Sequence, residues 1–205
     1  MNRKRVAILV SGSGTNMENI ARNVLAGALD CEIAVVVCDH PAAPAIERAR
    51  RLGLEVFVIE RKDFGSREEF DKRISEELTK RKVDAIFLAG FMRILTSEFV
   101  KAWKWRILNI HPSLLPKYPG THAIKEAFRA GEKESGVTVH FVDEGVDTGP
   151  IILQRKVPIQ AKDSLEGFEK RIHAVEYELY PEAIRLFLAG KLIVEGNKVK
   201  IVQYG

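Results

Sequence analysis

The sequence predicts an α/β fold, a single domain with an open, mostly parallel twisted sheet and helices on both of its faces. Three observations lead there. Apolar runs of five to seven residues alternate with amphipathic stretches along the chain. The early runs, Val6 to Val10, Ile33 to Cys38 and Ala85 to Ala89, lack a polar face, as a parallel sheet covered on both sides requires. With 205 residues, 46% hydrophobic and 29% charged, the chain has enough material for one core that buries roughly 70% of the unfolded surface.

Taken in order, strands are expected at Arg5 to Val10, Glu32 to Val37, Glu55 to Ile59, Asp84 to Ala89, Ile107 to Ile110, Val137 to Val142 and Ile151 to Val157. Helical patterns fill the gaps at Asn16 to Ala28, Pro44 to Leu52, Arg67 to Lys80, Thr96 to Ala102, His122 to Ala130 and Ser164 to Ala189. Ser66 with Glu69 has capping-box spacing. Gly53, Gly131 and Gly190 stand just past helix ends, where a left-handed residue closes the last turn. The tail, Leu192 to Glu195 and Val199 to Val202 about Gly196-Asn197, reads as a small packing hairpin. Repeats and low-complexity linkers are absent from the sequence, so residues 1–205 are expected to form one domain, with halves at about 1–100 and 101–205.

Composition narrows the function. The 32 basic and 28 acidic residues give a net charge of +4 and are well interleaved, which favours anionic small molecules over a nucleic-acid footprint. No apolar run approaches the ~18 residues of a membrane helix. The Met-Asn-Arg-Lys-Arg start is followed by only five apolar residues before Ser11-Gly12-Ser13-Gly14, too few for a signal peptide, so a cytoplasmic protein is expected. Cys31 and Cys38 bracket one strand, and seven steps of about 3.3 Å hold them far beyond disulfide reach; they are expected to be reduced core thiols. The five histidines include no i, i+4 pair and there is no Cys-x-x-Cys, so no metal site is expected.

Three segments carry chemistry. Ser11-Gly12-Ser13-Gly14-Thr15-Asn16 joins the first strand to a helix, where glycines let backbone N–H groups meet an anion at the helix N-terminus. It lacks the Gly-Lys-Ser/Thr of a Walker loop, and Met17 fills the third glycine position of a dinucleotide fingerprint; the alternative is a plain turn with Thr15 or Asn16 capping the helix. In the second segment, Leu108 to Gly120, Asn109 and His111 share one strand face at the end of a sheet where open α/β folds bind ligands. An amide that donates to a developing oxyanion beside an imidazole that moves a proton suits acyl transfer. The third, Gly136 to Pro150, ends in an acidic turn whose Asp147 is by default a loop carboxylate and, as the partner of His111, would orient its imidazole. His140 reads as a core or supporting residue, and His40 and His122 belong to no recognisable arrangement.

Together these segments resemble the phosphoribosylglycinamide formyltransferases, a branch of the folate-dependent formyltransferase family. The resemblance runs through Ser11 to Asn16, Leu88 to Leu95, Leu108 to Gly120 and Ser135 to Gln154, and its most specific elements are Asn-x-His-Pro-Ser-Leu-Leu-Pro and Asp-Thr-Gly-Pro. It implies a Rossmann-like formyltransferase fold and a catalytic trio of Asn109, His111 and Asp147. It also implies that Gly14, Thr15 and Asn16 hold a ribonucleotide phosphate and that His173, Ala174, Val175 and Glu176 meet the glycinamide end. The folate pocket would comprise Arg67, Met92, Arg93, Ile94 and Leu95 with Asn109 and the turn Asp143, Glu144, Gly145, Val146 and Asp147. Arg93 has a structural alternative, and Arg67 by default lies on a solvated helix face.

The implied reaction moves the formyl group of 10-formyltetrahydrofolate, a co-substrate, to the amine of glycinamide ribonucleotide in purine synthesis, without a metal. The implied partners are these two small molecules, with no nucleic acid and no membrane, in a monomer or homodimer. Relatives that formylate an initiator tRNA or hydrolyse formyltetrahydrofolate carry a further domain for which 205 residues leave no room. A dinucleotide-binding module would explain Gly12-x-Gly14 but leave the trio without purpose, and an RNA-binding module rests only on a pI near 9.0.

Overall fold

Strands apolar on both faces must be covered on both faces, and Val6 to Val10 are completely buried. In the computed structural model, which describes residues 3–202, the chain divides into two compact units, Met1–Leu108 and Asn109–Gly205. The first contains β1 (Lys4–Val10), α1 (Thr15–Leu25), β2 (Cys31–Cys38), α2 (Pro44–Arg51), β3 (Val56–Val58), a 3-10 turn at Arg61–Asp63, α3 (Arg67–Lys80), β4 (Ala85–Leu88) and α4 (Ser97–Ala102). Strand β5 (Ile107–His111) crosses the boundary. The second unit continues with α5 (Ala123–Arg129), β6 (Glu134–Phe141), β7 (Ile151–Pro158), α6 (Leu165–Leu188), β8 (Leu192–Glu195) and β9 (Lys198–Ile201).

Seven strands form one sheet in the order β3-β2-β1-β4-β5-β6-β7, and β8 and β9 pair separately. Strand β1 runs parallel to β2 and β4, and β2 parallel to β3. Strand β7 returns antiparallel to β6, because residues 142–150 are too few for the crossover that a parallel return needs. The open, mostly parallel α/β sheet read from the sequence is therefore the fold.

Every expected strand and helix forms, with ends moved by three residues or fewer. The largest helix correction is α1, which stops at Leu25 rather than running to Ala28. Gly27 takes φ 74° and its N–H bonds the Val24 carbonyl at 3.0 Å, closing the last turn. Its start differs too: the cap is Gly14, left-handed, with no side-chain cap from Thr15 or Asn16. The Ser66 cap forms as expected, its Oγ accepting from Glu69 N at 3.1 Å, while the Glu69 carboxylate reaches past Ser66 to the Gly65 N–H. Cys31 and Cys38 are buried free thiols, and burial pushes the Cys31 thiol up to about 11.

In the second unit β6 begins at Glu134, three residues before the expected start, since Ser135 and Gly136 already pair with Val157 and Lys156. At Gly136 a side chain has no place: a Cβ would lie 2.3 Å from the Arg155 carbonyl oxygen and 2.4 Å from Leu114. Gly136→Ala should therefore destabilise the protein by about 1–3 kcal/mol through overpacking. Urea unfolding checks this, and a change below about 0.5 kcal/mol, the scatter of an ordinary surface substitution, would show that the two strands part at no cost.

Candidate active site

The period of two along β5 sends Asn109 and His111 to the same face, at the strand's C-terminal end. The turn after β6 brings Asp147 to both of them. That turn is tightly constrained: a Cβ on Gly149 would sit 1.9 Å from the Phe141 carbonyl oxygen, and Asp147 itself adopts φ 54°, a left-handed conformation that few residues other than glycine and Asn or Asp accept. Asp143 shapes its start, its Oδ1 accepting from Gly145 N at 3.1 Å and from the Thr148 hydroxyl at 2.7 Å. Glu144, Gly145 and Val146 lie exposed at its tip.

Hydrogen-bond direction fixes the protonation pattern of the cluster. A carbonyl only accepts, so His140 Nδ1, 2.8 Å from the Phe141 oxygen, carries a proton. In the neutral ring His140 Nε2 is then an acceptor, and the Asn109 atom 3.2 Å away is its amide nitrogen, donating. The second Asn109 amide proton points to Asp147 Oδ1 at 3.4 Å. By the same reasoning His111 Nε2 donates to the Tyr118 carbonyl at 2.8 Å, which leaves Nδ1 facing Asp147 Oδ2 at 3.4 Å. Asp147 Oδ2 also accepts the Gly120 N–H at 2.8 Å.

Asp147 is thus ringed by donors. Burial alone would raise its carboxyl pKa, but the hydrogen bonds it accepts, among them the Gly120 N–H, and attraction to the His111 imidazole outweigh burial and hold it below the usual carboxylate range. The carboxylate stays charged at neutral pH. A charged carboxylate facing Nδ1 orients the His111 ring.

Along α6, His173 Nδ1 lies 2.8 Å from Glu176 Oε2. Glu176 is buried at 4% exposure, while Ala174 is exposed and Val175 half-buried. The hydrogen bond to Glu176 is the main cause that raises the His173 pKa above 6.5, against burial, with further help from the Glu176 and Glu169 charges.

In the first unit, Gly14 supplies the turn into α1. Its φ is 75° and a Cβ there would meet Ala45 Cβ at 2.6 Å, so glycine is required for both conformation and space. No side chain caps the start of α1 at Thr15, and a helix N-terminus is where backbone N–H groups favour an anion. In the segment after β4, Met92 and Ile94 are exposed large apolar side chains, whereas Leu95 is buried. Arg93 pairs with Asp39 at 2.5 Å. Arg67 is exposed but not idle, since its Nη2 donates to the Ile94 carbonyl at 3.0 Å. Among the described residues no group of three or more His, Cys, Asp or Glu has the arrangement of a metal site, and no helix is long and apolar enough to cross a membrane.

A family model described as formyl transferase matches residues 4–184. The chain belongs to the formyl transferase family. It is 43% identical over 185 residues to a phosphoribosylglycinamide formyltransferase of Bacillus subtilis, covering 90% of this chain and 95% of that protein. It is 46% identical over 194 residues, 94% of its length, to the trifunctional purine biosynthetic protein adenosine-3 of Drosophila melanogaster, of which it spans 14%. The crystal structure of glycinamide ribonucleotide transformylase 1 from Symbiobacterium toebii superposes with a TM-score of 0.95 at 44% identity, over 98% of this chain and 95% of that one.

In this formyl transferase the structure joins Asn109, His111 and Asp147, places His140, read from the sequence as a core or supporting residue, against Asn109, and adds two groups that the sequence did not single out: the Tyr118 carbonyl and the Gly120 N–H. His140 had left a signal. Thr138 and His140 are two buried polar residues on one face of β6, and buried polar groups need partners. Thr138 finds its own in the Ser113 carbonyl and the Leu115 N–H.

The His173–Glu176 pair has a pH signature. A raised imidazole pKa contributes stability that is fully present below the unfolded value of 6.5 and is lost as pH rises through the higher folded value. The wild type should therefore exceed His173→Gln in urea midpoint by more in mildly acidic buffer than in mildly alkaline buffer. An equal gap at both ends would remove the pair from the stability balance.

Proposed function

We propose that this protein transfers the formyl group of 10-formyltetrahydrofolate to the primary amine of glycinamide ribonucleotide, a step of purine synthesis. The single observation that carries the reading is the Asn109, His111 and Asp147 cluster, an amide, an imidazole and a charged carboxylate joined through two 3.4 Å contacts. Near-full-length similarity to a bacterial phosphoribosylglycinamide formyltransferase supports it. In this reading Gly14, Thr15 and Asn16 take the ribonucleotide phosphate, His173 to Glu176 the glycinamide end, and Arg67, Met92 to Leu95 and Asp143 to Asp147 the folate. The protein works in the cytoplasm as a monomer or homodimer, on small molecules alone.

The amine lone pair attacks the formyl carbon, and the carbonyl electron pair moves onto oxygen. Of the two Asn109 amide protons, the one bonded to His140 is the more firmly committed. The other, only 3.4 Å from Asp147, turns to the developing oxyanion. The attacking nitrogen now carries a surplus proton, and the folate nitrogen needs one to leave. His111 and Asp147 carry that proton from the first nitrogen to the second as the carbon–nitrogen bond to folate breaks. Products are the formylated amide and tetrahydrofolate, and no covalent enzyme intermediate forms. His140 acts through Asn109: its contact with the amide nitrogen fixes which end of the amide faces the reaction.

Mixing purified protein with both substrates and following tetrahydrofolate and formylated product tests the reaction. Asn109→Ala and His111→Ala should each lower kcat by about a hundredfold or more, the usual cost of losing an oxyanion donor or a general acid, with either KM changing far less. Near-normal turnover in a folded variant would take that residue out of the mechanism. In this reading the Asn16 side-chain amide donates to the phosphate beside the backbone N–H groups, so Asn16→Ala should raise the ribonucleotide KM by roughly tenfold, the scale of one hydrogen bond to a charged group, and leave the folate KM alone. Gly14 is the poorer test, because any side chain there collides with Ala45.

A further inference from the structure

The segment between β4 and α4 is neither helix nor strand, yet it is held at nearly every residue from elsewhere in the first unit. The Ser11 N–H donates to the Gly90 carbonyl at 3.0 Å, and the Ser11 Oγ accepts from Met92 N at 2.8 Å. Arg67 takes the Ile94 carbonyl, and Asp71 Oδ2 accepts from Thr96 N at 2.6 Å. Four of these five ties grip the backbone. The fifth, Asp39 to Arg93, joins two charged side chains.

Asp39 follows directly on β2 and its side chain is 4% exposed. Its Oδ2 faces Arg93 Nε, and its buried Oδ1 has no hydrogen-bond partner. A carboxylate in that position depends strongly on the cation it faces, because a buried charge stripped of its partner is costly. The Arg93 guanidinium carbon also stands 6.0 Å from the centroid of the Phe70 ring, a cation–π distance. Arg93, although partly exposed, is thus tethered between a carboxylate and an aromatic face, and this tether fixes the middle of the segment. With Leu95 buried and the partly exposed Arg93 tethered to Asp39, Met92 and Ile94 stand out at 62% and 58% exposure, two apolar side chains suited to a flat heteroaromatic ring.

We propose that Asp39 is a positioning residue: through Arg93 it holds Met92 to Leu95 in the register that receives the folate donor. The proposal rests on the folate reading given above. Asp39 touches no reacting atom in this account, so its removal should weaken donor binding and spare the chemical step.

The test uses Asp39→Asn, which deletes the charge at constant size, Arg93→Gln, which opens the same pair from the other side, and the double variant. Hydrogen exchange of the peptide covering residues 90–96 reads the clamp itself, calorimetry with 10-formyltetrahydrofolate reads donor affinity, and steady-state kinetics separates both KM values from kcat. In Asp39→Asn, amide exchange should quicken across that peptide and not elsewhere. Donor affinity should fall about tenfold, within the coupling range of contacting residues, with kcat and the ribonucleotide KM unchanged. The double variant should be no worse than Arg93→Gln alone. Unchanged exchange, equal losses for both substrates, or additive effects in the double variant would each overturn the proposal. If the wild type binds the donor but transfers no formyl group, the reaction assigned above falls and the clamp stands or falls on donor affinity. If the wild type binds no folate, both are withdrawn.

Discussion

A charged carboxylate taken out of water must be met by donors, and Asp147 shows how much structure that demand organises. It is fixed from three directions by the Gly120 N–H, the Asn109 amide and the His111 ring. The two side chains are in turn committed on their far sides: Asn109 to His140, His111 to the Tyr118 carbonyl. His140 closes the arrangement by donating to Phe141 O, at the end of β6 where the chain departs toward Asp147. The left-handed backbone at Asp147 and the crowded Gly149 are local costs of this arrangement. Residues held this way lose little freedom when a substrate arrives, which is what preorganised catalysis requires.

The first unit meets its demands differently, with backbone rather than side-chain chemistry. Gly14 gives α1 an uncapped N-terminus because neither a side chain nor an ordinary φ fits there. The segment from Gly90 to Thr96 has no regular hydrogen bonding of its own and borrows partners from Ser11, Asp39, Arg67 and Asp71. Such a segment is as rigid as its weakest borrowed tie. Ser11 belongs both to this set and to the glycine-rich loop, so the two features share a residue by construction.

Much of this was legible in the sequence. Hydrophobic periodicity located each strand and helix, and the bounds of α3 and the left-handed glycines at 53, 131 and 190 came out as read. Element ends were less secure where a turn residue competes with helical pattern, as at Gly27. Asn109 and His111 could be paired from their spacing alone, since a strand's period of two is a purely local rule. Asp147 entered through resemblance and through its acidic turn, not through any spacing that linked it to His111.

What the sequence by itself determined was whatever depends on near neighbours in the chain: the α/β class, the apolar strands, the glycines that chirality demands, and the common face of Asn109 and His111. Only the tertiary structure decided which nitrogen of His111 and of His140 donates to a carbonyl, which way the Asn109 amide turns, and that Asp39 and Arg67 hold the segment after β4. Those facts follow from contacts between residues as far apart as Asp39 and Arg93, and from the direction of individual hydrogen bonds. Residue order encodes the donors and acceptors, but their pairing is set by where the folded backbone carries them.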